Sequence, residues 1–128
     1  MAASGGKPTQ VTFNGGFAAV EAPDGKYLYY SQTRNYGPVM RVPLAGGMAE
    51  AVIPDIRGLF YAVTPEGIYF QSERTISFWD STSGKIREVF TAPKPLSIGM
   101  AASPDGQFLL FTQVEADGSD LYMIDGLR

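Results

Sequence analysis

One short phrase recurs three times along the chain, as "APDGKYLYY", "TPEGIYF" and "SPDGQFLLF". Its prolines, Pro23, Pro65 and Pro104, are separated by 42 and 39 residues. A repeat of about 40 residues is the length of one four-stranded propeller blade. Proline presets φ at the second position of a turn, and the following glycine adopts the conformation that closes a hairpin. The repeat therefore predicts three hairpins, each joining the first two strands of a blade.

A small apolar run precedes each turn, and an aromatic-rich run and a third strand follow it. An outer strand then follows in the first two periods, so that four strands fit into each of them. We predict blade 1 at 16–53, blade 2 at 58–90, and blade 3 at 96–125 without an outer strand. Residues 1–6 are expected to be a flexible N-terminus, and 7–128 a partial propeller. The predicted fold is all-β, with three four-stranded antiparallel blades that make half of a six-bladed propeller, the third blade being completed by an N-terminal strand of a second chain.

Three blades of a propeller form an open arc, and the two ends of this predicted arc are complementary. Residues 7–13, "KPTQVTF", form an outer strand without a blade, whereas blade 3 lacks an outer strand. An open arc exposes apolar blade surface and strand edges that invite association, and two-fold symmetry is the commonest solution. We expect a homodimer that closes a six-bladed ring; alternatively, the arc is a piece of a larger single-chain ring. The residues expected to form the inter-chain strand closure are Thr9, Val11, Phe13, Leu121 and Met123.

Composition restricts the function classes. The net charge is −3 with no cluster of Lys and Arg, so nucleic-acid binding by this segment is not expected. The absence of His and Cys excludes Ser-His-Asp and Cys-His nucleophiles and most transition-metal sites. No apolar run approaches the roughly 18 residues that span a bilayer. We expect no enzyme activity, no cofactor and no membrane partner; with no signal peptide visible, the compartment stays open between cytoplasm and periplasm.

The last repeat carries a family resemblance. "SPDGQFLLFTQ" followed by "GSDLYMID" resembles the TolB-type, WD-like β-propeller repeat, and three unequal copies extend from about residue 7 to residue 128. The closing "LLFTQVEADGSDLYMIDGLR" is similar to the C-terminal propeller part of larger bacterial proteins. The middle copy departs from the pattern, because "TPEGIYF" lacks the Ser and Asp and is two residues shorter. The resemblance implies a propeller, but it specifies function poorly.

Two groups of residues are candidates for a working surface. Arg34, Asn35 and Tyr36 lie in a predicted loop between the second and third strands, and exposed Arg and Tyr are effective interface anchors. The alternative for this loop is a solvated hairpin with Tyr36 folded back on the sheet. Residues of the innermost strands are candidates to line the central channel, although the phase of the strands leaves open which of them face it. These are Phe17, Phe60, Tyr61 and Met100.

The acidic residues of the turns and the single tryptophan are expected to have structural roles. Asp24 and Asp105 are expected to be turn residues, and "EADGSD" is expected to be a hairpin rather than a calcium loop. Trp79, the single tryptophan, is predicted to pack in the core, and it does not recur in the other blades. We therefore expect a non-enzymatic scaffold or sensor module that binds a protein or peptide. The alternative is a small-ligand or carbohydrate-binding propeller, which would need an aromatic platform repeated in each blade.

Overall fold

The computed structural model describes residues 8, 10, 15–33, 36–57, 61–116 and 118–127. Within these residues the chain forms eleven β-strands and no helix, and therefore offers no helical segment that could cross a bilayer. The strands form three antiparallel sheets, in chain order. This is the predicted all-β architecture of consecutive propeller blades.

The first sheet has its strands in sequential order, and each pairs with its neighbour. Its outer strand continues beyond Ile53, where we expected it to end, and passes through Pro54 with a shift in register. Proline is tolerated there because this strand lies at the edge of the sheet, where a missing N–H interrupts no inner ladder. The strands are β1 (Phe17–Glu21), β2 (Tyr27–Ser31), β3 (Tyr36–Pro43) and β4 (Glu50–Arg57).

The second sheet repeats this order with four strands, and the third sheet has three. Its order is β11-β10-β9, so the described residues supply no outer strand beside β11. The second sheet contains β5 (Tyr61–Val63), β6 (Gly67–Ser72), β7 (Thr75–Asp80) and β8 (Ile86–Thr91). The third contains β9 (Leu96–Ala102), β10 (Leu109–Glu115) and β11 (Gly118–Ile124).

The hydrophobic core lies between the sheets in two layers. Alternate residues of β6 enter opposite layers: Ile68 and Phe70 pack toward the first sheet, and Tyr69 packs toward the third. Such alternation follows from the two-residue period of a strand. Because both faces of the second sheet are covered, its inner strands are hydrophobic almost without interruption.

The first and third copies of the repeated turn have nearly the same geometry. Asp24 Oδ1 accepts a hydrogen bond from the Lys26 amide at 2.9 Å, and Asp105 Oδ1 accepts one from the Gln107 amide at 3.0 Å. The glycine after each aspartate has φ +73°, a left-handed conformation that glycine adopts without steric cost. The structure thus confirms that both aspartates act in the turn.

The middle turn is tighter than the other two. Thr64 and Gly67 exchange two backbone hydrogen bonds, of 2.8 and 3.3 Å, so only Pro65 and Glu66 form the loop. Gly67 lies so close to β7 that a Cβ atom would stand 1.9 Å from the carbonyl oxygen of Trp79. The two residues missing from the middle copy therefore produce a shorter hairpin and a close approach of two backbones.

Candidate functional site

A cleft opens between the first and second sheets, at the end where their β1–β2 and β5–β6 turns lie. Its volume is about 400 Å³, within the range of roughly 300–1,000 Å³ that is usual for ligand sites. The first sheet and its turn supply polar and aromatic lining, and the second sheet's side supplies a proline and two hydroxyl-bearing residues. The lining side chains that carry polar groups are Asp24, Tyr27, Tyr29, Arg41, Thr64 and Ser81.

Arg41 is the main charged group of this cleft. It follows the buried Val39 by two residues along β3, so both side chains lie on the same face of the sheet, the one that packs toward the second sheet. Its guanidinium carbon is 4.4 Å from the centre of the Tyr27 ring and 6.0 Å from that of Trp79. Its Nε donates to Glu50 Oε1 at 2.6 Å. Cation–π contacts and a salt bridge therefore hold the guanidinium from several sides.

The electrostatics keep Arg41 charged. Burial acts to lower the pKa of Arg41, but the hydrogen bond and charge of Glu50 outweigh it and the pKa is raised above its usual value. Burial also raises the pKa of Tyr29, against the effect of its hydrogen bond with Arg41. Tyr29 therefore stays a neutral phenol beside a permanent cation at neutral pH.

The aliphatic hydroxyl groups of the cleft, on Thr64 and Ser81, hydrogen-bond within the turns. Ser81 Oγ donates to the Glu66 carbonyl at 2.9 Å, and Thr64 Oγ1 donates to the Gly67 carbonyl at 3.0 Å. A guanidinium has five N–H donors, and Glu50 and Tyr29 are the hydrogen-bonding side chains described for Arg41. The wall of the cleft thus presents Arg41 as its main source of further donors.

A second polar cluster centres on Glu115 at the end of β10. Lys94 Nζ lies 2.6 Å from Glu115 Oε2, Gln113 Nε2 donates to Oε1 at 2.9 Å, and the Tyr122 hydroxyl also donates to Oε1. These hydrogen bonds, from Lys94 first and then Tyr122, lower the pKa of Glu115 to about 2. The carboxylate ties the segment before β9 to both β10 and β11.

The depressed pKa of Glu115 predicts an acid-sensitive contribution to stability. Because the folded value of about 2 is below the unfolded value of 4.5, the contribution is complete above pH 4.5 and is lost as the pH falls toward 2. We expect Glu115→Gln to have a lower urea midpoint than the unmodified protein at pH 6. The difference between the two midpoints should be smaller at pH 3. Glu88→Gln, at an exposed position of β8, is the control. An equal difference in urea midpoint at both pH values would contradict this prediction.

The structure places the candidate channel residues in different surroundings. Tyr61 is buried between the first and second sheets; its hydroxyl donates to the carbonyl of Ala18, and burial raises its pKa. Met100 is half-buried against the core between the second and third sheets, whereas Phe17 is exposed on β1. Phe60 lies outside the described residues. A channel-lining role for these side chains stays a prediction.

Several other candidate positions fall on parts that the structure does not describe. They include Arg34 and Asn35 of the loop, the whole of 1–7, and the predicted closure residues Thr9, Val11 and Phe13. Tyr36 was predicted to lie in this loop, but it begins β3, where its backbone pairs with that of Arg57. Its side chain is not described.

The structure does describe the two predicted closure residues of the third sheet and the single tryptophan. Leu121 and Met123 lie on β11 with 74% and 58% of their surface exposed. Trp79 is 5% exposed and packs edge-on against Tyr29, with ring centres 6.2 Å apart, in the core between the first two sheets. Its predicted core position is confirmed.

The sequence analysis missed the cleft, because its residues come from two blades. Arg41 did carry a signal, since "VMRV" places it on the same strand face as Val39. A charged residue on the core face of a strand requires a partner or a ligand. That signal could have identified Arg41, but it could not have identified Glu50 or Trp79 as its neighbours.

Comparison with known proteins supplies structural neighbours. No protein-family model matches the chain, and its sequence matches no curated protein. It is similar to a chain in the crystal structure of a nidogen/laminin complex, with a TM-score of 0.61 and 17% identity over 85% of this chain and 42% of that one. It is also similar to Kuenenia stuttgartiensis hydrazine synthase, with a TM-score of 0.59 and 21% identity over 94% of this chain and 35% of that one.

At these identities the likeness concerns the fold alone. The chain spans less than half of each neighbouring chain. Together with consecutive sheets of antiparallel strands, these neighbours support a β-propeller arrangement.

Proposed function

We propose that the chain is a non-enzymatic β-propeller scaffold that binds a protein, and that a second copy completes it as a six-bladed ring. The observation that carries this proposal is the free face of the third sheet, formed by Leu110, Val114, Leu121 and Met123. Leu110 pairs with Met123 in register and Leu121 pairs with Thr112, so these side chains share one face. All four are exposed. The opposite face of the same sheet is buried in the core.

The edge of the third sheet supports the same proposal. Within the described strands β11 pairs only with β10, whereas the corresponding third strands, β3 and β7, also pair with an outer strand. An open edge presents N–H and C=O groups that template strand addition. The proposed occupant is the segment 7–13 of a second copy.

The wider context favours a scaffold. The repeat resembles that of TolB-type propellers, which supports a bacterial origin as part of a larger protein. One structural neighbour belongs to a nidogen/laminin complex, and a protein partner for this chain is proposed partly by that analogy. With no His or Cys in the sequence, and with the repeated aspartates used in turns, a scaffold accounts for the described residues without any reaction.

Sedimentation equilibrium at micromolar concentration tests ring formation. We expect twice the mass of the chain for the unmodified protein, and the mass of one chain for a variant with both Leu121→Asp and Met123→Asp, because charges would be buried at the closure. Met48→Asp, at an exposed position outside the third sheet, is the control and should remain a dimer. A stable, monodisperse monomer of the unmodified protein would overturn the ring.

A further inference from the structure

We propose that the cleft between the first and second sheets binds a carboxylate side chain of a partner peptide at Arg41, and that Glu50 competes for the same guanidinium in the free protein. This inference rests on the proposed protein-binding function and names the chemistry of the partner. It concerns residues of the first and second sheets and their turns, and none from the free face of the third sheet.

Arg41 is organised for recognition before any partner arrives. Tyr27 and Trp79 stack against it from β2 and β7, and Tyr29 hydrogen-bonds with it from β2. These contacts come from strands of two packed sheets, so the guanidinium has little freedom left to lose on binding. A planar guanidinium matches the geometry of a carboxylate better than that of other common side-chain groups.

Glu50 is a weak competitor in this arrangement. It is the first residue of the edge strand β4, and its side chain is 56% exposed, compared with 23% for that of Arg41. An exposed salt bridge contributes little to stability, since water solvates the released carboxylate well. A partner carboxylate can therefore replace Glu50, or share Arg41 with it, at small cost.

The other lining groups select among anions. Asp24 lies in the same cleft, so Asp24 and Glu50 together exceed the single positive charge of Arg41. This surplus of negative charge opposes any anion, but it opposes a doubly charged phosphate more than a singly charged carboxylate. Pro23 and Pro65 add apolar surface at the rim, which suits the flanking residues of a peptide. Tyr, Trp and Arg are the residue types that dominate binding energy at protein interfaces.

An NMR titration with two matched peptides tests the proposal. The probes are acetylated and amidated pentapeptides, Gly-Leu-Glu-Leu-Gly and its Gln counterpart. The single tryptophan, Trp79, has its ring in contact with Arg41, so its indole N–H signal reports on the surroundings of that guanidinium. The backbone amides of Asp24 and Ser81 report on the cleft lining. We expect saturable shifts at millimolar or lower concentration with the Glu peptide, and at least tenfold weaker binding of the Gln peptide.

Three variants separate recognition from folding. Arg41→Met should abolish binding of the Glu peptide, whereas Glu50→Gln should tighten it about threefold or more, a gain that damage to the fold would not produce. Arg87→Met is the matched control, because Arg87 stacks over Phe78 at 5.2 Å on the second sheet but does not line the cleft. Its binding should equal that of the unmodified protein.

The contrary outcomes are distinct. Equal binding of the Glu and Gln peptides, or weaker binding by Glu50→Gln, would overturn the proposal. Sodium acetate saturating at the same concentration as the Glu peptide would overturn the assignment to a peptide, because the flanking residues would then contribute nothing. Sedimentation of the same samples keeps the two proposals separate, since a monomer that binds the Glu peptide contradicts only the ring and a dimer that does not bind it contradicts only the cleft.

Discussion

Replacing Gly67 with alanine is expected to lower the free energy of unfolding by about 3 kcal/mol, the upper end of the usual cost of overpacking, because the added atom would meet rigid backbone. The added Cβ would lie 1.9 Å from the Trp79 carbonyl oxygen and 2.8 Å from Cζ of Phe78. The oxygen belongs to the backbone of β7, which cannot rotate away as a side chain can. The hairpin would have to separate from β7, and the hydrogen bonds that pair β6 with β7 would be strained.

Gly84→Ala provides a matched control for this substitution. Nothing lies within 4 Å of a Cβ at Gly84, but its φ is +73°, so this variant measures only the cost of a left-handed alanine, about 1–2 kcal/mol. Gly67 has no positive φ, so its cost comes from the close approach alone. Urea midpoints measured at one protein concentration compare the two variants. A midpoint for Gly67→Ala at or above that of Gly84→Ala would contradict the expected order.

Two adjacent leucines of β10 provide the second large effect. Leu109 is fully buried between the second and third sheets, whereas Leu110 points to the free face and is 43% exposed. Truncating a buried leucine costs about 2–5 kcal/mol through lost burial and the remaining cavity. We therefore expect Leu109→Ala to destabilise the chain strongly, and Leu110→Ala to change its stability by less than about 1 kcal/mol.

Leu110 belongs to the proposed dimer surface, so its substitution in the dimer would also change stability through association. Urea unfolding is best measured in the Leu121→Asp, Met123→Asp background, where association is expected to be absent. In the unmodified background, sedimentation should show that Leu110→Ala weakens the dimer. Equal destabilisation by both truncations in the monomeric background would mean that the free face is buried within one chain.

The fold was predictable because its signals are local. The Pro-acid-Gly turns fix where strands reverse, and the two-residue period of the strands fixes which side chains share a face. The positions of Asp24 and Asp105 followed from turn chemistry alone. The end of β4 did not, because pairing with β3 carries the outer strand through Pro54, and whether a proline ends a strand depends on whether its N–H is needed.

The repeated turn, its spacing and its alternation of residues were sufficient to predict an all-β chain with three consecutive antiparallel sheets. Only the tertiary structure decided that Arg41 lies against Tyr27 and Trp79, and that Gly67 must approach Trp79 closely. The physical reason is that hairpins are determined by residues a few positions apart. The cleft depends on how two sheets pack, which brings together side chains nearly 40 residues apart through surface complementarity that no single repeat contains.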